Sequence, residues 1–171
     1  IDEVVTQASQ LYFPELCESN DDPRAELHFD DGLKWVKEAA AGSYAVIIVD
    51  STDPIGPGEV LFTAEFYANC KRCLTEGGIV VTQNGVPFVQ GTEVTNSWHR
   101  LGQSFADVWF FVAPVPTYQG GFMAFGWATD DAGKRKADLS ALEQRFERAG
   151  IETRYYTPAV HQGSFALPRF I

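Results

Sequence analysis

The sequence predicts an α/β fold in which helices cover both faces of a mostly parallel sheet. Short apolar runs rich in β-branched residues alternate with stretches of helical periodicity. Glycine and proline punctuate the chain between these segments. Strands separated by helices pair in parallel. The last predicted strand follows its neighbour after a short turn, so we expect it to run antiparallel.

The first part of the chain is predicted to hold two helices, one turn and one strand. Apolar residues recur on one helical face up to Tyr12, and Asn20-Asp21-Asp22-Pro23 is typical of a turn. Residues 25–29 alternate between apolar and polar, which predicts a strand. A short helix over 33–40 is closed by Gly42.

The central segment is the apolar run Tyr44–Val49 with the loop that follows it. Its β-branched character predicts a strand buried on both faces. Asp50 ends the strand, Asp53 follows three residues later, and prolines and glycines then favour an irregular loop. Ligands of open α/β sheets bind outside the carboxyl ends of the strands. We therefore expect both carboxylates to lie where the chemistry takes place.

The remaining elements follow in regular alternation. Thr63 is placed to cap a helix that ends near Leu74. The other predicted elements are a strand over 79–82, a helix over about 91–105, strands over 108–113 and 122–128, a helix over 139–149 ended by Gly150, and helical turns in the tail 151–171.

Polar side chains follow four of the predicted strands where each strand ends. Because such ends share one edge of a parallel sheet, we expect a single crevice for a small molecule there. These side chains are Asp30 and Asp31, Asp50 and Asp53, Gln83 and Asn84, and Tyr118.

Composition limits the partners. The net charge of −10 argues against nucleic acid and anionic membrane surfaces, and it is compatible with a cationic substrate. No apolar run is long enough to predict a membrane span. Three cysteines suggest a reducing compartment. Cys70 and Cys73 have CxxC spacing but lack further metal ligands and lie late in a helix, so we expect neither metal nor redox chemistry.

Several motifs in the same order resemble the spermidine synthases, the aminopropyltransferases, and the C-terminal part resembles their bacterial branch. The resemblance covers essentially the whole chain. It rests on Asp50-Ser-Thr-Asp-Pro-Ile-Gly-Pro-Gly58 with Leu61-Phe62-Thr63 and Phe66-Tyr67, on Asp30-Asp31-Gly32, on Gly77-Gly78-Ile-Val-Val-Thr-Gln83-Asn84-Gly85, on Pro116-Thr117-Tyr118-Gln-Gly-Gly121, and on Arg154-Tyr155-Tyr156-Thr-Pro158 and Phe165-Ala-Leu-Pro168.

The resemblance implies a Rossmann-like sheet of the class I methyltransferase type with an antiparallel terminal strand. The family's Gly-rich strand–loop–helix has no counterpart in these residues. We therefore expect 1–171 to be a partial catalytic domain, incomplete at its N-terminus, with the first strands and an N-terminal β domain outside this chain. The resemblance also implies a cytoplasmic enzyme that forms a homodimer or homotetramer.

The implied reaction transfers an aminopropyl group from decarboxylated S-adenosylmethionine, a co-substrate, to putrescine. The products are spermidine and methylthioadenosine, and no cofactor or metal is implied. By resemblance Asp50 is the general base, while Asp53, Tyr118 and Gln83 bind the amine. The nucleoside would be bound by Asp31, Gly32, Pro57 and Leu61.

Other interpretations stay open at this point. The acceptor could be cadaverine, agmatine or spermidine, since chain-length choice depends on pocket depth. The chain could be a non-catalytic interaction domain, because the nucleoside-binding Gly-rich loop is not in it. A related methyltransferase is a further alternative. Asp31 could also simply cap the next helix, and Asp53 could belong to a turn before Pro54.

Overall fold

The computed structural model describes residues 2–118 and 120–171. These residues form two compact units, one ending at Glu38 and the other covering Ala39–Ile171. No helix in the described ranges has the length and apolar character needed to cross a bilayer. The two units are described separately below.

The first unit is helical. Helix α1 covers Glu3–Tyr12 and is capped by Asp2, whose carboxylate accepts a hydrogen bond of 2.9 Å from the backbone N–H of Val4. A short helix α2 covers Pro14–Cys17, a 3-10 turn follows, and α3 covers Gly32–Glu38. The predicted helices near 3–12 and 33–40 are confirmed.

The predicted strand over 25–29 is wrong for this chain. These residues form no ladder with any strand in the part of the chain that the structure describes. A strand becomes a sheet element only when a neighbour pairs with its backbone N–H and C=O groups. Alternation of side chains alone therefore does not define a strand here.

The second unit holds the sheet and its covering helices. Its strands are β1 (Tyr44–Val49), β2 (Leu74–Gln83), β3 (Asp107–Pro114) and β4 (Phe122–Thr129). Its helices are α4 (Ala64–Cys73), α5 (Pro87–Leu101), α6 (Leu139–Ala149) and α7 (Pro158–Ser164).

The sheet order is β1-β2-β4-β3. Strands β1 and β2 pair in parallel, whereas β4 runs antiparallel to both β2 and β3. Three of the four strands thus share one direction and only the last strand in the chain opposes them. This confirms the predicted α/β class with its antiparallel terminal strand.

Strand β1 forms as predicted, but the expectation that it is buried on both faces is wrong. Val46 is 50% exposed and Ile48 is 71% exposed. The reason is that β1 lies at the edge of the described sheet, where it packs mainly against β2. An apolar run indicates that a strand can be buried, but only neighbouring elements bury it.

One strand boundary differs from the sequence prediction. Strand β2 begins at Leu74, five residues before the predicted start, and its register with β1 is shifted at the N-terminal end. Gly77, with a φ of +65°, takes up this irregularity. Helix α5 has a break at Gln90, whose φ of −122° and ψ of 34° are not helical, so the regular helix follows from about 91 as predicted, and a first turn that starts at Pro87 precedes it.

The core lies between the sheet and helices α4 and α5, and one buried cluster joins Val94 of α5 to Phe110 and Ala124 of the sheet. Thr63 caps α4 as predicted, since its hydroxyl oxygen accepts a hydrogen bond of 3.2 Å from the N–H of Phe66. Cys70 and Cys73 are fully buried on this helix, and burial raises the pKa of Cys70 to about 12. Such a thiol is protonated at neutral pH and unreactive, which supports the structural interpretation of the CxxC pair.

Candidate active site

A cleft opens at the carboxyl ends of β1 and β2. A cavity of about 440 Å³ lies there, and its lining includes Asp50, Asp53, Gln83 and Tyr118. A second cavity of about 380 Å³ adjoins it and shares Asp50, Gln83 and Tyr118 with the first. The structure therefore brings together the predicted base and all three predicted amine-binding residues.

Residues 50–53, called the acidic loop below, supply two carboxylates and one hydroxyl to this cleft. Asp50 follows the last residue of β1, and Asp53 lies three residues further along an irregular segment. Both residues are exposed to solvent at the open side of the cavity. The hydroxyl oxygen of Ser51 is buried, lines the cavity and has no hydrogen-bond partner among the described residues. Two negative charges and one unsatisfied hydroxyl suit a ligand that is cationic and donates hydrogen bonds.

Gln83 and Asn84 are consecutive, but their side chains point to opposite faces of the sheet. Gln83 lines both cavities. Asn84 is fully buried on the other face, where its side-chain amide donates to the hydroxyl of Ser97 at 2.7 Å. Its carbonyl oxygen accepts from Thr82 at 2.6 Å and from the backbone N–H of Gly126 at 2.9 Å. The expectation that Asn84 faces the crevice is wrong, because successive strand residues point to opposite faces.

The turn from β2 to α5 forms one wall of the cavity. Gly85 has a φ of +69°, a conformation that favours glycine. A methyl group there would lie 2.5 Å from the side-chain carbonyl oxygen of Gln90. That oxygen accepts a hydrogen bond of 2.8 Å from the N–H of Val86, so Gln90 folds back over the turn. Gly85, Val86 and Gln90 all line the cavity.

The opposite wall comes from the hairpin between β3 and β4. Tyr118 is 51% exposed, and its backbone N–H donates to the carbonyl of Val115 at 3.0 Å. Met123 is buried at the start of β4 and contributes the apolar floor of both cavities. An aromatic ring and a thioether beside two carboxylates can accommodate an alkyl chain that carries charged ends.

Two predicted nucleoside-binding residues lie beyond the acidic loop. Pro57 and Leu61 belong to the 3-10 helix Gly56–Phe62, where Pro57 is exposed and Leu61 is half-buried. Neither residue lines the cavity of Asp50 and Asp53. Their assignment to the nucleoside stays a prediction.

The other two predicted nucleoside-binding residues belong to the first unit. The carboxylate of Asp31 accepts hydrogen bonds from the backbone N–H groups of Leu33 (2.8 Å) and Lys34 (3.4 Å). Asp31 therefore caps α3, whose first residue is Gly32. One carboxylate oxygen is used in this way, and the role of Asp31 and Gly32 toward a nucleoside stays a prediction.

The sequence prediction missed two side chains that line the cavity, Ser51 and Gln90, and a third, Glu93, that lies beside Gly85. Ser51 could have been found from its place between Asp50 and Asp53. Gln90 and Glu93 could not, because their positions depend on how the chain turns between β2 and α5. Among the described residues no group of three or more His, Cys, Asp or Glu side chains has the geometry of a metal site.

Comparison with known proteins agrees with the resemblance. The family model described as the spermine/spermidine synthase domain matches residues 1–138. The polyamine aminopropyltransferases of Serratia proteamaculans and Pectobacterium carotovorum are each 50% identical over 172 residues, covering all of this chain and 60% of theirs. The chain thus spans about 60% of the length of these curated relatives.

Solved structures show the same fold. A spermidine synthase in complex with the transition-state analogue AdoDATO has a TM-score of 0.90 and 30% identity, over 99% of this chain and 57% of that one. The spermidine synthase of Thermotoga maritima has a TM-score of 0.85 and 27% identity, over 99% and 55%. These matches confirm the Rossmann-like, methyltransferase-type sheet. Together with the family match over residues 1–138, they establish that the chain belongs to the spermine/spermidine synthase family.

Proposed function

We propose that the full-length protein transfers an aminopropyl group from decarboxylated S-adenosylmethionine to putrescine, giving spermidine and methylthioadenosine. One observation carries the proposal. A single cavity holds Asp50, Asp53, Gln83 and Tyr118, the four side chains that the family resemblance assigns to the base and the amine site. The spermine/spermidine synthase family match supports the same reaction class.

The chemistry explains why carboxylates are needed. The nitrogen of the amine attacks the aminopropyl carbon, the C–S bond breaks, and its electron pair neutralises the sulfonium. Attack requires a neutral amine, whereas an alkyl ammonium has a pKa near about 10. Deprotonation at pH 7 therefore costs about 4 kcal/mol. We propose that Asp50 accepts this proton as the N–C bond forms.

The other side chains position the substrates. Asp53 and Gln83 bind and orient the attacking amine, and Tyr118 lines the path of its alkyl chain. Asp31, Gly32, Pro57 and Leu61 bind the nucleoside of the co-substrate. We further propose that 1–171 is the C-terminal part of the catalytic domain of a cytoplasmic homodimer or homotetramer, as the resemblance implies.

Replacement of the proposed base tests the reaction. In the full-length protein, Asp50→Asn keeps the shape of the side chain but removes its basicity. We expect kcat for methylthioadenosine release with putrescine to fall by about 10²–10⁴-fold, the usual contribution of a general base.

The control is Asp21→Asn, which removes one exposed carboxylate from the first unit and should leave the rate unchanged. An Asp50→Asn protein with near-normal kcat and a normal melting temperature would show that Asp50 is not the base. A wild-type protein that forms no methylthioadenosine with putrescine would refute the proposed function itself.

A further inference from the structure

A third carboxylate, that of Glu93, lies beside the cavity. Glu93 is on the inward side of α5, next to the buried Val94 and one turn before the buried Ser97. One of its carboxylate oxygens lies 3.2 Å from the point where a side chain at Gly85 would begin. Because Gly85 forms part of the cavity wall, this carboxylate lies next to that wall, together with the side chain of Gln90, whose carbonyl oxygen is closer at 2.5 Å.

No cation of the described residues forms an ion pair with this carboxylate. The nearby Arg100 donates a hydrogen bond of 2.9 Å to the backbone carbonyl of Phe62 instead. The titratable groups that interact with Glu93 are Asp53 from the acidic loop and Tyr67 from α4. The ionised form of a half-buried carboxylate next to a second carboxylate is unfavourable unless a cation binds between or beside them.

The ionisation of Glu93 reflects this environment. Burial, and then the negative charge of Asp53, raise the pKa of Glu93 to about 7. A bound ammonium group would reverse the second effect by favouring the charged carboxylate. The position beside Gly85, the effect of Asp53 and the lack of an ion pair among the described residues all point to a cationic ligand.

We propose that Glu93 is an acceptor-binding residue whose carboxylate holds the non-reacting ammonium group of the diamine. This inference rests on the proposed function and extends it to acceptor choice. Asp50 and Asp53 act at the reacting end, where one nitrogen must lose its proton. The other nitrogen keeps its proton at neutral pH and therefore needs a carboxylate of its own. Glu93 would thus favour diamines over monoamines of equal length.

The test is Glu93→Gln in the full-length protein, assayed at pH 8 with putrescine. We expect KM for putrescine to rise about tenfold or more, which corresponds to about 1.4 kcal/mol of lost binding. We expect kcat and KM for decarboxylated S-adenosylmethionine to change less than twofold. Glu93→Asp, which keeps the charge on a shorter side chain, should recover part of the affinity.

Glu147→Gln is the matched control, since Glu147 is exposed on α6 and its replacement changes the net charge equally. An unchanged KM for putrescine in Glu93→Gln would overturn the proposal. Equal losses for both substrates, with no recovery in Glu93→Asp, would also overturn it, because they indicate structural damage.

A calorimetric titration separates this inference from the proposed function. If the wild-type protein forms no product from putrescine, the proposed reaction fails, but putrescine binding still decides the role of Glu93. Binding that is about tenfold weaker in Glu93→Gln than in the wild type supports a diamine site that includes Glu93. Equal binding by the two proteins, or none by either, overturns the inference.

Discussion

The side chain of Asn84 links strands β2 and β4 to helix α5 behind the cleft. Its replacement should lower the free energy of unfolding by several kcal/mol. Its carbonyl oxygen accepts from the N–H of Gly126 at 2.9 Å and from Thr82 at 2.6 Å, and its amide donates to Ser97 at 2.7 Å. The Gly126 N–H can only donate, which fixes the orientation of the amide. One side chain thus connects β2, β4 and α5.

The magnitude follows from what Asn84→Ala leaves behind. Asn84 is fully buried, and Thr82 and Ser97 are each 1% exposed, so water does not replace the lost partner easily. A buried polar group left unpaired costs about 1–3 kcal/mol. The two hydroxyl groups can rotate toward other acceptors, but the N–H of Gly126 cannot. We expect the free energy of unfolding to fall by about 2–4 kcal/mol in total.

Chemical denaturation of the full-length protein measures this change. Asn96→Ala is the matched control, because Asn96 is exposed on the same helix, and its replacement should change stability by less than about 0.5 kcal/mol. If Asn84→Ala unfolds within about 0.5 kcal/mol of the wild type, the hydrogen-bond network is not what secures the turn behind Gln83. The reasoning that assigns Asn84 to the core rather than to the cleft would then be refuted.

Two further predictions concern the same region. The folded protein holds the Glu93 proton up to about pH 7, whereas the unfolded chain releases it near the ordinary value of 4.5, so stability should fall as pH rises from 5 to 8. The pKa shift limits this loss of stability to about 3 kcal/mol, and partial solvent exposure reduces it to about 1–2 kcal/mol. Above pH 7 the free energies of unfolding of the wild type and Glu93→Gln, obtained from melting curves, should differ by that amount. Parallel pH profiles of the two proteins would contradict the prediction. Gly126→Ala places a methyl carbon 2.4 Å from the hydroxyl oxygen of Thr82 and 2.8 Å from the carbonyl oxygen of Asn84. We expect this overpacking to cost about 1–3 kcal/mol, measured as a lower denaturant midpoint, and an unchanged midpoint would show that the sheet adjusts freely.

The sequence by itself determined the order of most elements and the position of the acidic loop that lines the cavity. Alternating apolar runs and capped helices predicted the α/β class, and the loop after Val49 predicted two carboxylates at a strand end. These inferences depend on local patterns, such as the hydroxyl of Thr63 capping α4 and the left-handed Gly150 that ends α6. Local patterns predict such features correctly because residues close in sequence supply most of the interactions that define them.

The tertiary structure decided which side of each element faces the site. Period-two alternation requires Gln83 and Asn84 to point to opposite faces, but only the packing of α5 against β4 shows that Asn84 belongs to the core. Ile48 is exposed because β1 lies at an edge, and residues 25–29 pair with no described strand. Glu93 lies beside Gly85 only because the chain turns between β2 and α5 and breaks at Gln90. Contacts between residues far apart in sequence fix these outcomes, and a one-dimensional pattern does not contain them.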